Sequence, residues 1–366
     1  MQTSTPASPH SSELALHFKA LVPTLRIDTL QRLLDIILAM IAAQSVNHHK
    51  LSPHMPGKSS VEAKKRRVER GVSDEQLTMQ VFLALILSHI PPGKWLLSLD
   101  RTNWEYGESP MNLLVLGVVI HGYTIPLMWE ALDSTGNSDT KARIWLVGRL
   151  LRVFPAGRWR GLVADREFIG GEWFRFLRKK GIKRAVRIKK NTRLDDLRGD
   201  EWFQNIQHGQ FRCLAAKACV FGEVMQVVAT RSPKGDLVLI ATDFGVWDTI
   251  KLYRMRWSIE CTFSSIKSRG YDLERTGMTD PAALERLFGI VILAWLSCLQ
   301  IGVYRARERP IRQLAHGRLA MSLIQYGAQF LIDAIRWQEC TVQTLFKQLT
   351  CPLLPLQRQK NGVVGY

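Results

Sequence analysis

Residues 253–267 read YRMRWSIECTFSSIK, with Tyr253, Arg256, Glu260 and Lys267 at offsets of 0, 3, 7 and 14. On an ideal helix turning about 100° per residue, with Leu252 as origin, they fall at about 100°, 40°, 80° and 60°. The four share one stripe roughly 60° wide. Leu252, Ile259, Phe263 and Ile266 cluster near the origin and predict an apolar stripe facing a core. The polar stripe therefore borders the buried face. Two readings fit it. One is a surface helix with routine ion pairs, because Arg256 and Glu260 are spaced i, i+4. The other is a phosphate-handling site, which needs a carboxylate beside cationic and hydroxyl donors.

The rest of the chain favours a polyanionic partner. It has 366 residues, 46% of them hydrophobic, which is enough for a large core in two or three parts. Fifty Lys and Arg against 32 Asp and Glu leave a net charge of +18. Such a surplus steers nucleic acid or an anionic membrane surface toward the protein. The six cysteines form no CxxC pair and have no histidines at ligand spacing, which argues against zinc and for reduced thiols. The polar start MQTSTPASPHSSE is not a secretory signal. Leu287–Tyr304 carries no formal charge, but Gly289, Ser297, Gln300 and Gly302 mark it as a buried helix rather than a membrane span.

Residues 1–26 read as a disordered tail and 27–94 as a helical, DNA-contacting region, with helices near 28–48 and 73–89 and the basic run VEAKKRRVERG between them. Next, WLLSLDR predicts a strand with Asp100 near its end. MNLLVLGVVIHGY and TIPLMWEAL predict two more, joined by a turn at His121–Gly122. Ser138 or Asp139 caps a helix over 140–152. WRGLVADREF is a strand ending at Asp165, a helix follows over 171–180, and KRAVRIKK is a further strand. This βββαβαβ order fits a ribonuclease H-like α/β core over 95–191, resumed at 245–310. Residues 192–244 alternate like antiparallel strands, with SPKG as a turn, and read as a β-rich insertion. Residues 311–366 form a C-terminal helical region and tail, in which 311–335 offers either a dimer contact or closure of the domain.

With these elements placed, the sequence resembles the insertion-sequence 4 (IS4) family of DDE transposases, and within it the Tn5-like members. Tyr253, Arg256, Glu260 and Lys267 match the signature Y-(2)-R-(3)-E-(6)-K. DRTNW after the first strand and DREF after the fourth are similar to that family, as is a β-rich insertion before the glutamate helix. The resemblance covers about residues 27–335. It implies a cut-and-paste DNA transposase with Asp100, Asp165 and Glu260 as catalytic residues and ligands of two Mg²⁺ ions, Mn²⁺ being able to substitute. Oxygen-only ligands suit these hard cations. It implies that Tyr253, Arg256 and Lys267 orient phosphate, and that Trp257 stacks on DNA, with a core-packing role as its alternative. Arg184, Arg187 and Lys189 are further candidates on the site rim. The implied partners are double-stranded DNA with terminal inverted repeats, target DNA and a second copy of the chain in a paired-end homodimer. The implied setting is bacterial, cytoplasmic and nucleoid-associated, with no membrane. An inactive DNA-binding derivative acting as a repressor is the alternative function. Asp243, which also ends an apolar run, competes with Asp165 for the ligand position, Asp133 competes more weakly, and Arg166 and Glu167 flank Asp165.

Overall fold

The structure, a computed structural model, describes residues 9–106, 109–132, 136–267, 270–315, 317–337 and 341–356. The chain folds as two compact units. One holds the described residues of 1–92, 105–109 and 263–366, and the other holds 93–104 and 110–262.

The first unit begins with helices α1 (Pro9–Lys19), α2 (Ile27–Ala43), α3 (His48–Leu51), α4 (Val61–Val72) and α5 (Met79–Leu87). The tail expected over 1–26 is thus helical over Pro9–Lys19. Leu14, Ala15 and Phe18 fall on one face and are buried, and α1 packs on α2. That short stripe is hidden in the sequence by the serines and prolines before it. Ser60 caps α4 by accepting the Ala63 N–H at 3.2 Å. The basic run on α4 is not all free surface. Arg67 donates to the buried Asp35 of α2 at 3.1 Å and to the Pro56 carbonyl at 2.7 Å. Ser73, expected to open the next helix, instead ends α4 by donating its N–H to Glu69 O.

In the second unit the chain runs through strands β1 (Trp95–Tyr106), β2 (Ser109–Ile120) and β3 (Tyr123–Ala131), helix α6 (Thr140–Leu151), β4 (Trp159–Ala164), helix α7 (Gly171–Lys179) and β5 (Arg184–Ile188). This is the predicted order, but β1 does not end near Asp100 as expected: it runs on through DRTNW to Tyr106, with β2 as its neighbour in the sheet. His121 and Gly122 take φ of 53° and 81°, as a tight hairpin between β2 and β3 requires. Asp139 caps α6, accepting from Ala142 N at 2.6 Å. The insertion contributes the ribbon β6 (Arg193–Leu194) and β7 (Leu197–Arg198), helix α8 (Gly199–Trp202), and strands β8 (Phe211–Cys213), β9 (Ala218–Val220), β10 (Glu223–Arg231) and β11 (Leu237–Thr242). It does not stand apart. The main sheet runs β3-β2-β1-β4-β5-β11-β10-β8, with β9 also on β10, so the insertion extends the core sheet. β1, β4 and β5 are parallel neighbours, whereas β11 joins β5 antiparallel. Leu97, Leu99, Leu162, Val163, Ala185 and Val186 are buried, as suits parallel strands covered on both faces.

The ideal helix expected over 253–267 is not continuous, because residues 246–266 divide into three segments. They make α9 (Val246–Arg254), a 3₁₀ turn at Met255–Trp257, and α10 (Ser258–Ile266). The tighter turn rotates each residue further about the axis, so the stripe is not straight. No Gly or Pro announces the break.

Helices α11 (Pro281–Glu308), α12 (Leu323–Trp337) and α13 (Thr341–Leu349) return to the first unit. Helix α11 is long and apolar enough to cross a membrane, yet 89% of its most apolar window is buried inside the protein. It packs on α12 at very close range. A Cβ on Gly302 would run into the Leu323 carbonyl, and one on Gly327 into the Cys298 carbonyl.

Candidate active site

The middle of β1 and the end of β4 build the floor of the site. The parallel ladder of β1 and β4 pairs Leu99 with Ala164, its last rung. Asp100 and Asp165 are the next residue on each side. Each carboxylate is turned back on its own chain in the same way. Asp100 Oδ1 accepts the Arg101 N–H at 2.8 Å, and Asp165 Oδ1 accepts the Arg166 N–H at 2.8 Å.

The helix segment closes over them. Arg256, in the 3₁₀ turn, lies with Nη2 2.8 Å from Glu260 Oε1 and Nη1 3.5 Å from Asp100 Oδ2. Tyr253 directs its hydroxyl at Asp165 Oδ1 from 3.5 Å, at the limit of hydrogen bonding. Arg187 of β5 reaches the same oxygen at 3.7 Å. Three carboxylates from β1, β4 and α10 therefore converge on one guanidinium and its neighbours.

The electrostatics follow from burial. Desolvation pushes the Asp100 carboxyl up to about 7. The Arg101 N–H and the Arg256 charge oppose that rise, and Glu167 and Asp165 add to it. Burial also pushes the Tyr253 hydroxyl up to about 12, so it is a proton donor at neutral pH. For Arg256 burial disfavours the charge, but Tyr253, Asp165, Glu260 and Asp100 outweigh it and raise its pKa above the ordinary value.

The other predicted residues divide. Trp257 is 53% exposed, so it is not a core residue. Lys189 is exposed and lines an open cavity of about 560 Å³ with Asn191, Arg193 and Phe221. Lys267 belongs to the other unit, where its ammonium pairs with Glu274 at 3.0 Å. Arg184 does not sit on the rim. Its side chain is 2% exposed and forks onto Asp243 at 2.7 and 3.0 Å, with a further bond to the Phe174 carbonyl at 2.6 Å. The Asp243 carboxylate also accepts the Arg184 backbone N–H at 2.8 Å. Arg184 and Asp243 thus satisfy each other, which explains the aspartate that competed for the ligand position. Asp133 lies outside the described residues.

Sequence reasoning missed one partnership. Arg101 forks onto Glu167 at 2.6 and 2.9 Å. The repeated Asp-Arg after both strands was the available signal, although Arg101 pairs across to the glutamate rather than to its counterpart.

The donor set suits a hard divalent cation. It is all carboxylate oxygen, and Asp100 is half-buried where neighbouring carboxylates make a further positive charge favourable. Among the described residues, however, no three acidic, histidine or cysteine side chains already form a metal cage. Arg256 holds the position between Asp100 and Glu260.

Residues 91–297 match the family model described as "Transposase DDE domain". No curated protein matches the chain. Among solved structures, a piggyBac transposase synaptic complex with hairpin DNA is similar over 97% of this chain and 84% of that one, at 10% identity and a TM-score of 0.45. Endonuclease V from Bacillus subtilis is similar over 58% of this chain and 88% of its own, at 13% identity and a TM-score of 0.25.

Proposed function

The chain belongs to the transposase DDE domain family, and on that premise we propose that it is a cut-and-paste transposase of the Tn5-like kind, with Asp100, Asp165 and Glu260 as its catalytic carboxylates. The observation that carries this reading is that Asp100 of β1 and Glu260 of α10 share Arg256, while Asp165, at the end of the neighbouring strand β4, meets Tyr253 three residues before that arginine.

The proposed sequence begins with recognition of terminal inverted repeats. Hydrolysis then frees a 3′-hydroxyl, which attacks the opposite strand's phosphodiester and displaces the flanking DNA's 3′-oxygen as a hydroxyl, giving a hairpin end. A second water opens the hairpin and frees that 3′-hydroxyl again, which attacks a target phosphodiester and displaces the target strand's 3′-oxygen as a hydroxyl. Two bound Mg²⁺ ions would clamp the phosphate and activate the attacking oxygen. The chain's own residues do the rest. Asp100 gives up the proton that burial favours before it can act as a ligand. Arg256 offers a planar fork that suits a phosphate as well as it suits Glu260. Tyr253 donates its hydroxyl proton to an anionic oxygen. Trp257 presents an exposed ring beside Arg256, on which an unstacked end base can rest, at roughly 1–3 kcal/mol per stacked base. Two copies of the chain are needed to hold two ends together.

The test uses labelled duplexes carrying candidate inverted repeats sought in the DNA beside the gene. Time-resolved denaturing gels separate nick, hairpin and opened end, and light scattering counts chains per complex. The reading predicts all three products in order, made by two chains on paired ends. Cleavage by a persistent complex of one chain and one end would contradict it.

A further inference from the structure

We propose that Arg101 and Glu167 are positioning residues, a clasp that fixes the separation of Asp100 and Asp165. The inference rests on the reading of those aspartates given above. The β1–β4 ladder ends at Leu99 and Ala164, so no backbone pairing between the two strands holds the aspartates that follow. The first cross-link beyond the ladder is the Arg101–Glu167 pair, one residue past Asp100 and two past Asp165. It is bidentate, with Nε–Oε1 at 2.6 Å and Nη2–Oε2 at 2.9 Å, which fixes direction as well as distance.

The remaining donors of Arg101 anchor the clasp to its surroundings. Nη1 donates to Asn112 Oδ1 of β2 at 3.1 Å and to the Gly136 carbonyl at 2.9 Å. Nη2 also donates to Asn137 Oδ1 at 3.3 Å. These five bonds match the five N–H groups a guanidinium owns, and the side chain is only 14% exposed. Arg101 therefore has no donor left for a DNA phosphate, although it stands beside the site. Its work is to tie β2, β1 and the loop after β4 together. That work matters because Asp165 and Glu167 both repel an ionised Asp100 where the β1–β4 ladder has already ended. Groups that orient metal-binding side chains typically change metal affinity by 10–100-fold when they are replaced.

The test is Mn²⁺ binding by the intact chain without DNA, followed by loss of the free-ion electron paramagnetic resonance signal. Glu167→Gln removes the charge, while Arg101→Lys keeps the charge and removes the fork. Each should weaken Mn²⁺ binding by roughly tenfold or more, with circular dichroism and affinity for duplex DNA unchanged. Unchanged Mn²⁺ affinity in Arg101→Lys overturns the clasp, even if Glu167→Gln binds weakly, because charge alone would then explain Glu167. Parallel loss of fold, DNA affinity and Mn²⁺ affinity in Arg101→Lys overturns it also, in favour of a general structural role. If Glu167→Gln does not fold, Arg101→Lys alone decides. Asp100→Ala separates the two claims. Mn²⁺ binding that survives Asp100→Ala defeats the carboxylate reading itself, whereas loss there with retention in Arg101→Lys defeats only the clasp.

Discussion

Arg256 and Glu260 form an ion pair at 2.8 Å, and the same guanidinium reaches Asp100 at 3.5 Å. A cation so placed offsets carboxylate repulsion. Arg256→Ala should therefore lower stability by about 1–3 kcal/mol in the presence of a chelator, discounted for the partial exposure of Glu260. Added Mg²⁺ should return part of that loss, since it supplies positive charge to the same oxygens. Urea unfolding with and without Mg²⁺ measures both.

The half-buried Asp100 makes stability depend on pH. Its folded carboxyl titrates at about 7 against an ordinary value of 3.8. Between those values the folded chain holds a proton that the unfolded chain has lost. Stability contributed by this group therefore falls as pH rises from about 4 to about 7, and stays low above that. Metal affinity runs the other way, rising through pH 7 as the ligand ionises. Metal-free urea unfolding at pH 5 and pH 8 should show this slope in the wild type and lose it in Asp100→Asn.

Arg184 and Asp243 predict a different kind of damage. Arg184→Ala leaves the Asp243 carboxylate without its fork and should cost about 3–5 kcal/mol of stability. Asp243→Asn should destabilise less and leave nicking measurable wherever the chain is folded. Calorimetry alongside the nicking assay distinguishes this from a ligand role for Asp243.

Much of this architecture is legible in the sequence because it is local. An apolar run ending in aspartate marks β4 and locates the start of β1, though not its end at Tyr106; His121–Gly122 announces its hairpin, and Asp139 caps α6. What is not legible depends on distant partners or on backbone detail without a residue signal. Arg184 looks like a rim cation within KRAVRIKK, and only a carboxylate 59 residues away turns it inward. The Arg101–Glu167 fork joins residues 66 apart. The 3₁₀ turn at Met255–Trp257 contains no breaker, so a uniform helix was the natural reading of that stretch. Helix α1 hides three apolar residues in a polar tail.

Trp257 separates stacking from packing. With 53% of its surface exposed, Trp257→Ala should change stability by no more than about 0.5 kcal/mol. The same change should slow hairpin formation or opening more than the first nick, and Trp257→Phe should recover part of the loss. Denaturing gels of labelled ends report each step separately.

The most direct measurement of the central claim is first-strand nicking of terminal-repeat duplex in Mg²⁺ by four single variants, Asp100→Ala, Asp165→Ala, Glu260→Ala and Asp243→Ala. A metal clamp contributes several kcal/mol to phosphoryl transfer. Loss of any one ligand should therefore slow nicking by about a hundredfold or more, with end binding retained. The account predicts that loss for the first three and folded-fraction activity for Asp243→Ala. Abolished nicking in Asp243→Ala with near-normal nicking in Asp165→Ala would contradict it.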